Sequence, residues 1–192
     1  IITAGDVDSD GLADLITGSY GNDDGGERSG KGYLMLGASI EPGASVDLGT
    51  DADYVWIGEE AGDEAAYVNA PAGDVDGDGL DDFFMASLRN DEAGMGTAPH
   101  GETGAGKVYV MLGADLGAPG TVYDFADVDR AWLGESGGDG TGYGTSSPGD
   151  IDGDGLNDLL TGAYGNSQNG TFAGKAYLVT AASMATPGIR SL

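Results

Sequence analysis

The sequence predicts an all-β fold built from three copies of one four-stranded antiparallel unit, and three observations carry that prediction. A segment recurs, as "GDVDSDGLADLITGSY" from Gly5, "GDVDGDGLDDFFMASL" from Gly73 and "GDIDGDGLNDLLTGAY" from Gly149, which marks a repeat architecture. A second segment recurs downstream of each copy, as "GKGYLMLGA" at 30–38, "GKVYVMLGA" at 106–114 and "GKAYLVTAA" at 174–182, and the first two continue into "DYVWIGEEAGD" at 53–63 and "RAWLGESGGD" at 130–139. The apolar runs are short and bounded by Gly, Asp and Asn, with no sustained helical period.

Taken in order, residues 1–64 read as a first unit with a shortened first strand at 1–6. Residues 65–140 are a complete second unit, with strands at 65–74, 83–88, 107–113 and 130–135. Residues 141–192 are a third unit that stops before its outer strand, giving eleven strands in all. Four strands in about 70 residues is the size of a propeller blade with generous loops. The chain is therefore expected to be a β-propeller segment of about three four-stranded antiparallel blades.

Composition narrows the function. With 33 acidic against 7 basic residues, and a net charge of -26, the chain is a poor match for nucleic acid, whose binding depends on Lys and Arg neutralising phosphates. Anionic membrane surfaces are disfavoured for the same reason, and no apolar run approaches the roughly 18 residues of a membrane span. The hydrophobic content of 40% is enough for a core, and the 38 glycines follow no Gly-X-Y period, so they serve turns. There are no cysteines, which removes disulfides and thiolate metal sites. The start "IITAGDVD" is neither a signal peptide nor a usual initiator and reads as a mature or excised piece.

The chemistry lies in the aspartates. Each copy follows DxDxDGxxD: Asp6, Asp8, Asp10 and Asp14; Asp74, Asp76, Asp78 and Asp82; Asp150, Asp152, Asp154 and Asp158. Crowded carboxylates repel one another and are costly to desolvate unless a cation or hydrogen-bond donors take up the charge. Alternate residues of a tight loop point to one centre, and a glycine at the sixth position (Gly11, Gly79, Gly155) supplies the sharp turn, as in an EF-hand loop. The seventh residue (Leu12, Leu80, Leu156) is expected to offer its backbone carbonyl to the metal and to bury its side chain in the blade. Hard oxygen donors without His or Cys favour calcium over magnesium, which keeps more water. An EF-hand needs a glutamate at position twelve and flanking helices. Here position twelve is Thr17, Met85 or Thr161, so the loop is a β-hairpin version, and three Ca²⁺ sites are expected.

On these loops the chain resembles the FG-GAP repeats of integrin α-subunit propellers and their bacterial relatives. The Gly-Ala-Pro-like segment after the loop in that family is matched by "GSY" (18–20), "ASL" (86–88) and "GAY" (162–164), and the Phe-Gly-like element by Tyr67-Val68 and Tyr143-Gly144. The resemblance implies propeller architecture, structural Ca²⁺, and adhesion or ligand binding on the face away from the metals.

Other residues weigh less. His100, the only histidine, sits in the insert 89–107 and supports no Ser/His/Asp set. Lys31, Lys107 and Lys175 share one repeat position and read as local charge balance in an acidic blade, with a ligand ring as the lesser alternative. Trp56 and Trp132 are also equivalent and read as packing between blades rather than a carbohydrate platform. Tyr20 and Tyr164 begin loops where recognition and turn formation use the same residues. Asp63, outside the motif, is expected to be nearly neutral to substitution.

In an up-and-down blade the connections alternate ends. The calcium loops therefore share one face, while loops 21–30, 89–106 and 165–174 and the crossings 59–65 and 135–141 share the other, where a protein or glycan partner is expected. The resulting expectation is a non-enzymatic, calcium-stabilised, extracellular, periplasmic or cell-surface module for binding, adhesion or assembly. The alternatives are a propeller domain of a secreted polysaccharide-active enzyme and a self-assembling scaffold. Three blades do not close a ring, so further blades of the same parent or a second copy are expected partners, with Trp56 and Trp132 contacting them.

Overall fold

The computed structural model describes residues 1–91 and 104–192; His100 and part of the insert around it lie outside them. Within these residues the chain is all-β, as three sheets side by side. The strands are β1 (Ile2–Gly5), β2 (Asp14–Gly18), β3 (Lys31–Met35), β4 (Tyr54–Ile57), β5 (Val68–Gly73), β6 (Asp82–Ser87), β7 (Lys107–Met111), β8 (Thr121–Asp124), β9 (Arg130–Leu133), β10 (Ser146–Gly149), β11 (Asp158–Ala163), β12 (Lys175–Val179) and β13 (Gly188–Ser191). Consecutive antiparallel strands build blade 1 (β1-β2-β3-β4), blade 2 (β5-β6-β7-β9) and blade 3 (β10-β11-β12). The first strand of each blade is innermost: β1 and β10 both lie against β5. Together these strands line a groove of about 510 Å³ between Ile2, Pro71 and Pro148.

Burial follows from each blade's position in the row. The middle blade is covered on both faces, so every residue of β6 and β7 is buried and the sequence there is nearly continuously apolar. Alternate side chains go to opposite neighbours, as the two-residue period of a strand requires. Phe83, Met85, Tyr109 and Met111 join Ile16, Leu34 and Trp56 of blade 1, whereas Phe84, Ala86, Val108 and Val110 join Leu159 and Val179 of blade 3. Blade 3 is covered on one side, so Leu159 is fully buried while its neighbour Leu160 is 37% exposed.

Two strands depart from the expected eleven. Residues 121–124 lie in a connection read as a loop and residues 188–191 in the tail of a unit read as lacking its outer strand, yet β8 adds in parallel to β4 and β13 in parallel to β9. Each leaves its own blade to become a fifth strand on the outer edge of the blade before. An edge strand presents unpaired N–H and C=O groups, and this exchange satisfies them, which local sequence does not reveal.

The tryptophans are also corrected in part. They do pack between elements, but Trp56 and Trp132 are each only 3% exposed and are covered by this chain rather than left for a neighbour. Trp56 stacks on Tyr123 of β8, with ring centroids 5.2 Å apart, and meets Phe83 edge-on. Trp132 lies under the guanidinium of Arg190 in β13.

Candidate metal centres

Each acidic loop leaves the innermost strand through a bulge. Register shifts occur at Thr3/Gly5, Pro71/Gly73 and Ser146/Gly149, and Gly5, Gly73 and Gly149 take positive φ there, a conformation glycine adopts without steric penalty. The bulge turns the next aspartate into the loop. Its two oxygens then accept amide hydrogens from the loop's far side: Gly11 N–H donates to Asp6, Gly79 to Asp74 and Gly155 to Asp150, over 2.9–3.0 Å. The third-position carboxylates accept from Asp10, Asp78 and Asp154 amides. The fifth-position carboxylates accept from Leu12, Leu80 and Leu156.

This ladder gathers the acids. Carboxylate oxygens of Asp6, Asp8 and Asp10 lie within 4.8 Å of one another, as do those of Asp74, Asp76 and Asp78, and those of Asp150, Asp152 and Asp158. The donor set is all oxygen and strongly anionic, which fits a hard cation such as calcium. Burial raises Asp76 above the usual carboxylate range, partly offset by the Asp78 amide, so its charged form is costly without a counter-ion.

The ninth-position aspartates are held differently, and of the three only Asp158 stands in one of these clusters. Asp14, Asp82 and Asp158 are fully buried. One oxygen of each accepts from the loop (Val7, Val75 and Ile151 N–H) and the other from the end of the third strand's connection (Gly37, Gly113 and Ala181 N–H), all over 2.7–2.9 Å. Each therefore ties its loop to the blade. Burial lifts Asp82 to about 7 despite those two amides, and lifts Asp14 as well.

The seventh-position leucines do not all bury their side chains. Leu156 packs against the core between blades 2 and 3 and Leu80 is half-buried, but Leu12 is 49% exposed. Leu156 covers the blade before its own, whereas Leu12 belongs to the first blade of this chain. Successive loops are joined in the same direction. Asp81 N–H donates to Asp6 O and Asn157 N–H to Asp74 O, both over 3.1 Å, and the Asp81 carboxylate accepts from Asp6 N–H.

The opposite end of the blades holds residues that sequence reasoning undervalued. Asn90 and Asn166 donate to the buried carboxylates of Asp63 and Asp139 of the preceding blade. Lys107 and Lys175 pair with Glu59 and Glu135. Glu64, almost fully buried, holds both Arg28 and Arg89. Asp63 is thus a buried acceptor rather than a neutral bystander; its matching position to Asp139 in the repeat was the available signal. Four tyrosines stand at this end, 42–58% exposed. Tyr20 meets Tyr67, and Tyr143 meets Tyr164, at ring distances of 4.9 and 5.0 Å.

Comparison with known proteins agrees with this geometry. The FG-GAP repeat family matches residues 1–35 and 141–179, each span running from the innermost strand through the acidic loop to the third strand. No curated protein matches the chain. The middle unit, which ends its second strand in Ala86-Ser87-Leu88 where the others have Gly-Ser-Tyr and Gly-Ala-Tyr, lies outside both spans. With the bulged acidic loops, the innermost-to-outermost strand order and these matches in hand, the chain folds as a β-propeller segment that carries FG-GAP repeats at residues 1–35 and 141–179.

Proposed function

We propose that this chain is a calcium-stabilised binding module of an extracellular, periplasmic or cell-surface protein, without catalysis of its own. The observation that carries the reading is the threefold repetition of a preorganised, all-oxygen acidic loop. Asp6, Asp8, Asp10 and Asp14, with their counterparts Asp74, Asp76, Asp78 and Asp82 and Asp150, Asp152, Asp154 and Asp158, would hold three Ca²⁺ ions, helped by the Leu12, Leu80 and Leu156 carbonyls. The metal would supply charge neutralisation, and the loops would convert it into stiffness along the row of blades. A protein or glycan ligand would meet the other end, where the exposed tyrosine pairs offer flat amphipathic surfaces of the kind enriched at interfaces.

The deciding experiment counts metal. Native mass spectrometry in calcium should give three bound ions for the wild type and two for Asp78→Ala. Chelation should lower the melting temperature sharply, because a ligand at a hundredfold excess over Kd adds about 2.7 kcal/mol per site. Three ions retained in the variant, or a melting temperature indifferent to chelator, would sink the reading.

A further inference from the structure

Three contacts by which a blade holds the blade before it occur twice in this chain. Lys107 pairs with Glu59 at 2.7 Å and Lys175 with Glu135 at 2.6 Å. Asn90 donates to Asp63 at 2.9 Å and Asn166 to Asp139 at 2.8 Å. A Pro-Gly turn then sends a strand back in parallel: Pro119-Gly120 leads into β8, and Pro187-Gly188 into β13. The Gly120 and Gly188 amides donate to the carbonyls of Asp53 and Asp129, just ahead of the outer strands they join.

Blade 1, the first in this chain, carries the same elements. Asn22 and Lys31 occupy the positions of Asn90 and Lys107. Lys31 turns instead to Asp24 of its own loop, a half-exposed carboxylate. Pro42-Gly43-Ala44-Ser45-Val46-Asp47-Leu48 repeats the pattern of Pro119-Gly120-Thr121-Val122-Tyr123-Asp124-Phe125. The likeness extends to the aspartate: the Asp47 and Asp124 side chains each cap the short helical turn next to them, accepting from Gly49 and Ala126. Residues 44–47 nevertheless belong to no sheet, and Ala44, Ser45 and Asp47 are exposed.

We propose that this side of blade 1 is a receptor for a further FG-GAP blade that this chain does not contain, one whose outer strand runs Trp-x-Gly-Glu-x-x-x-Asp. Residues 44–47 add to that strand in parallel, as a donated edge strand. Its glutamate takes Lys31 and its aspartate takes Asn22. The pattern is read from Trp56-Ile57-Gly58-Glu59 with Asp63, and from Trp132-Leu133-Gly134-Glu135 with Asp139. A second copy of this chain does not fit, because both of its outer strands of this kind already carry a parallel neighbour. These repeated contacts carry the assignment whatever the identity of the metal.

The test extends the whole chain by grafting a second copy of residues 65–144 ahead of Ile1, so that the added blade presents an uncovered 130–133 strand. With calcium present, amide exchange at 44–47 should slow by at least about tenfold relative to the unextended chain. Lys31→Glu in the extended chain should remove most of that protection, and Glu135→Lys in the added copy should restore it. Equally fast exchange in both chains, with the added blade's own strands protected, would overturn the proposal. Should the added blade not fold, the peptide DRAWLGESGGD at millimolar concentration, added to the unextended chain, decides on the same amides, and absence of protection there overturns it too. An unextended chain that dimerises and protects 44–47 by itself would replace the assigned partner with a second copy.

Discussion

Asn90 Nδ2 donates to Asp63 Oδ2 across the junction of blades 1 and 2, over 2.9 Å, and both residues are at least 96% buried. Asp63→Ala removes the nearer of two acceptors of that amide and leaves Glu59 Oε2 at 3.2 Å. Losing a buried hydrogen bond of this kind costs roughly 1–3 kcal/mol, so the variant should unfold at visibly lower urea concentration. Asp63→Asn keeps a carbonyl acceptor and should lose much less. Paired urea titrations in calcium compare the two.

Asp63 also gives the fold a pH dependence. Burial lifts its carboxyl from an ordinary 3.8 to about 7, while the Asn90 amide and the neighbouring Glu59 pull in opposite directions. The folded state therefore keeps a proton that the unfolded chain has already released. The resulting stability is fully present below the unfolded value and is lost as pH rises through about 7. Asp63→Asn removes this slope, so the stability difference between variant and wild type should move in the variant's favour as pH rises from about 5 to about 8. A difference that is flat with pH would count against the assignment.

The three equivalent lysines should differ in weight. Lys107 and Glu59 are 2% and 8% exposed, Lys175 and Glu135 about a third, and the Asp24 partner of Lys31 about half. Breaking a buried pair by removing one partner costs about 3–5 kcal/mol, whereas exposed pairs are worth about 0–1 kcal/mol. Lys107→Met should therefore be severe, Lys175→Met intermediate and Lys31→Met close to silent in thermal melts.

Gly106 takes φ +85°, and a Cβ there would sit 2.2 Å from the Thr141 carbonyl oxygen of the next blade. Gly106→Ala must push backbone against backbone and should lower the melting temperature strongly. Gly43 has nearly the same φ, +83°, with open space around it. Gly43→Ala should show only the left-handed backbone penalty of about 1–2 kcal/mol.

The repeat, the all-β character, the strand centres and the three acidic loops were all legible in the amino-acid order. These are local signals: a two-residue apolar period, glycines at fixed turn positions, and carboxylates at alternate places in one loop. The placing of Trp56 and Trp132 between packed elements was legible too, because equivalent large aromatics in a repeat need a recurring neighbour. The remainder came from contacts between segments far apart in the chain. Residues 121–124 and 188–191 became strands because the uncovered edges of β4 and β9 lie within reach, although they are far away in sequence. Asp63 became a buried acceptor because Asn90, from another blade, comes to meet it. The same leucine position is exposed at Leu12 and packed at Leu156, since its environment is set by the blade before it and not by the loop it belongs to. A repeat sequence specifies each blade almost alone; what a residue does at a junction depends on which blade stands beside it.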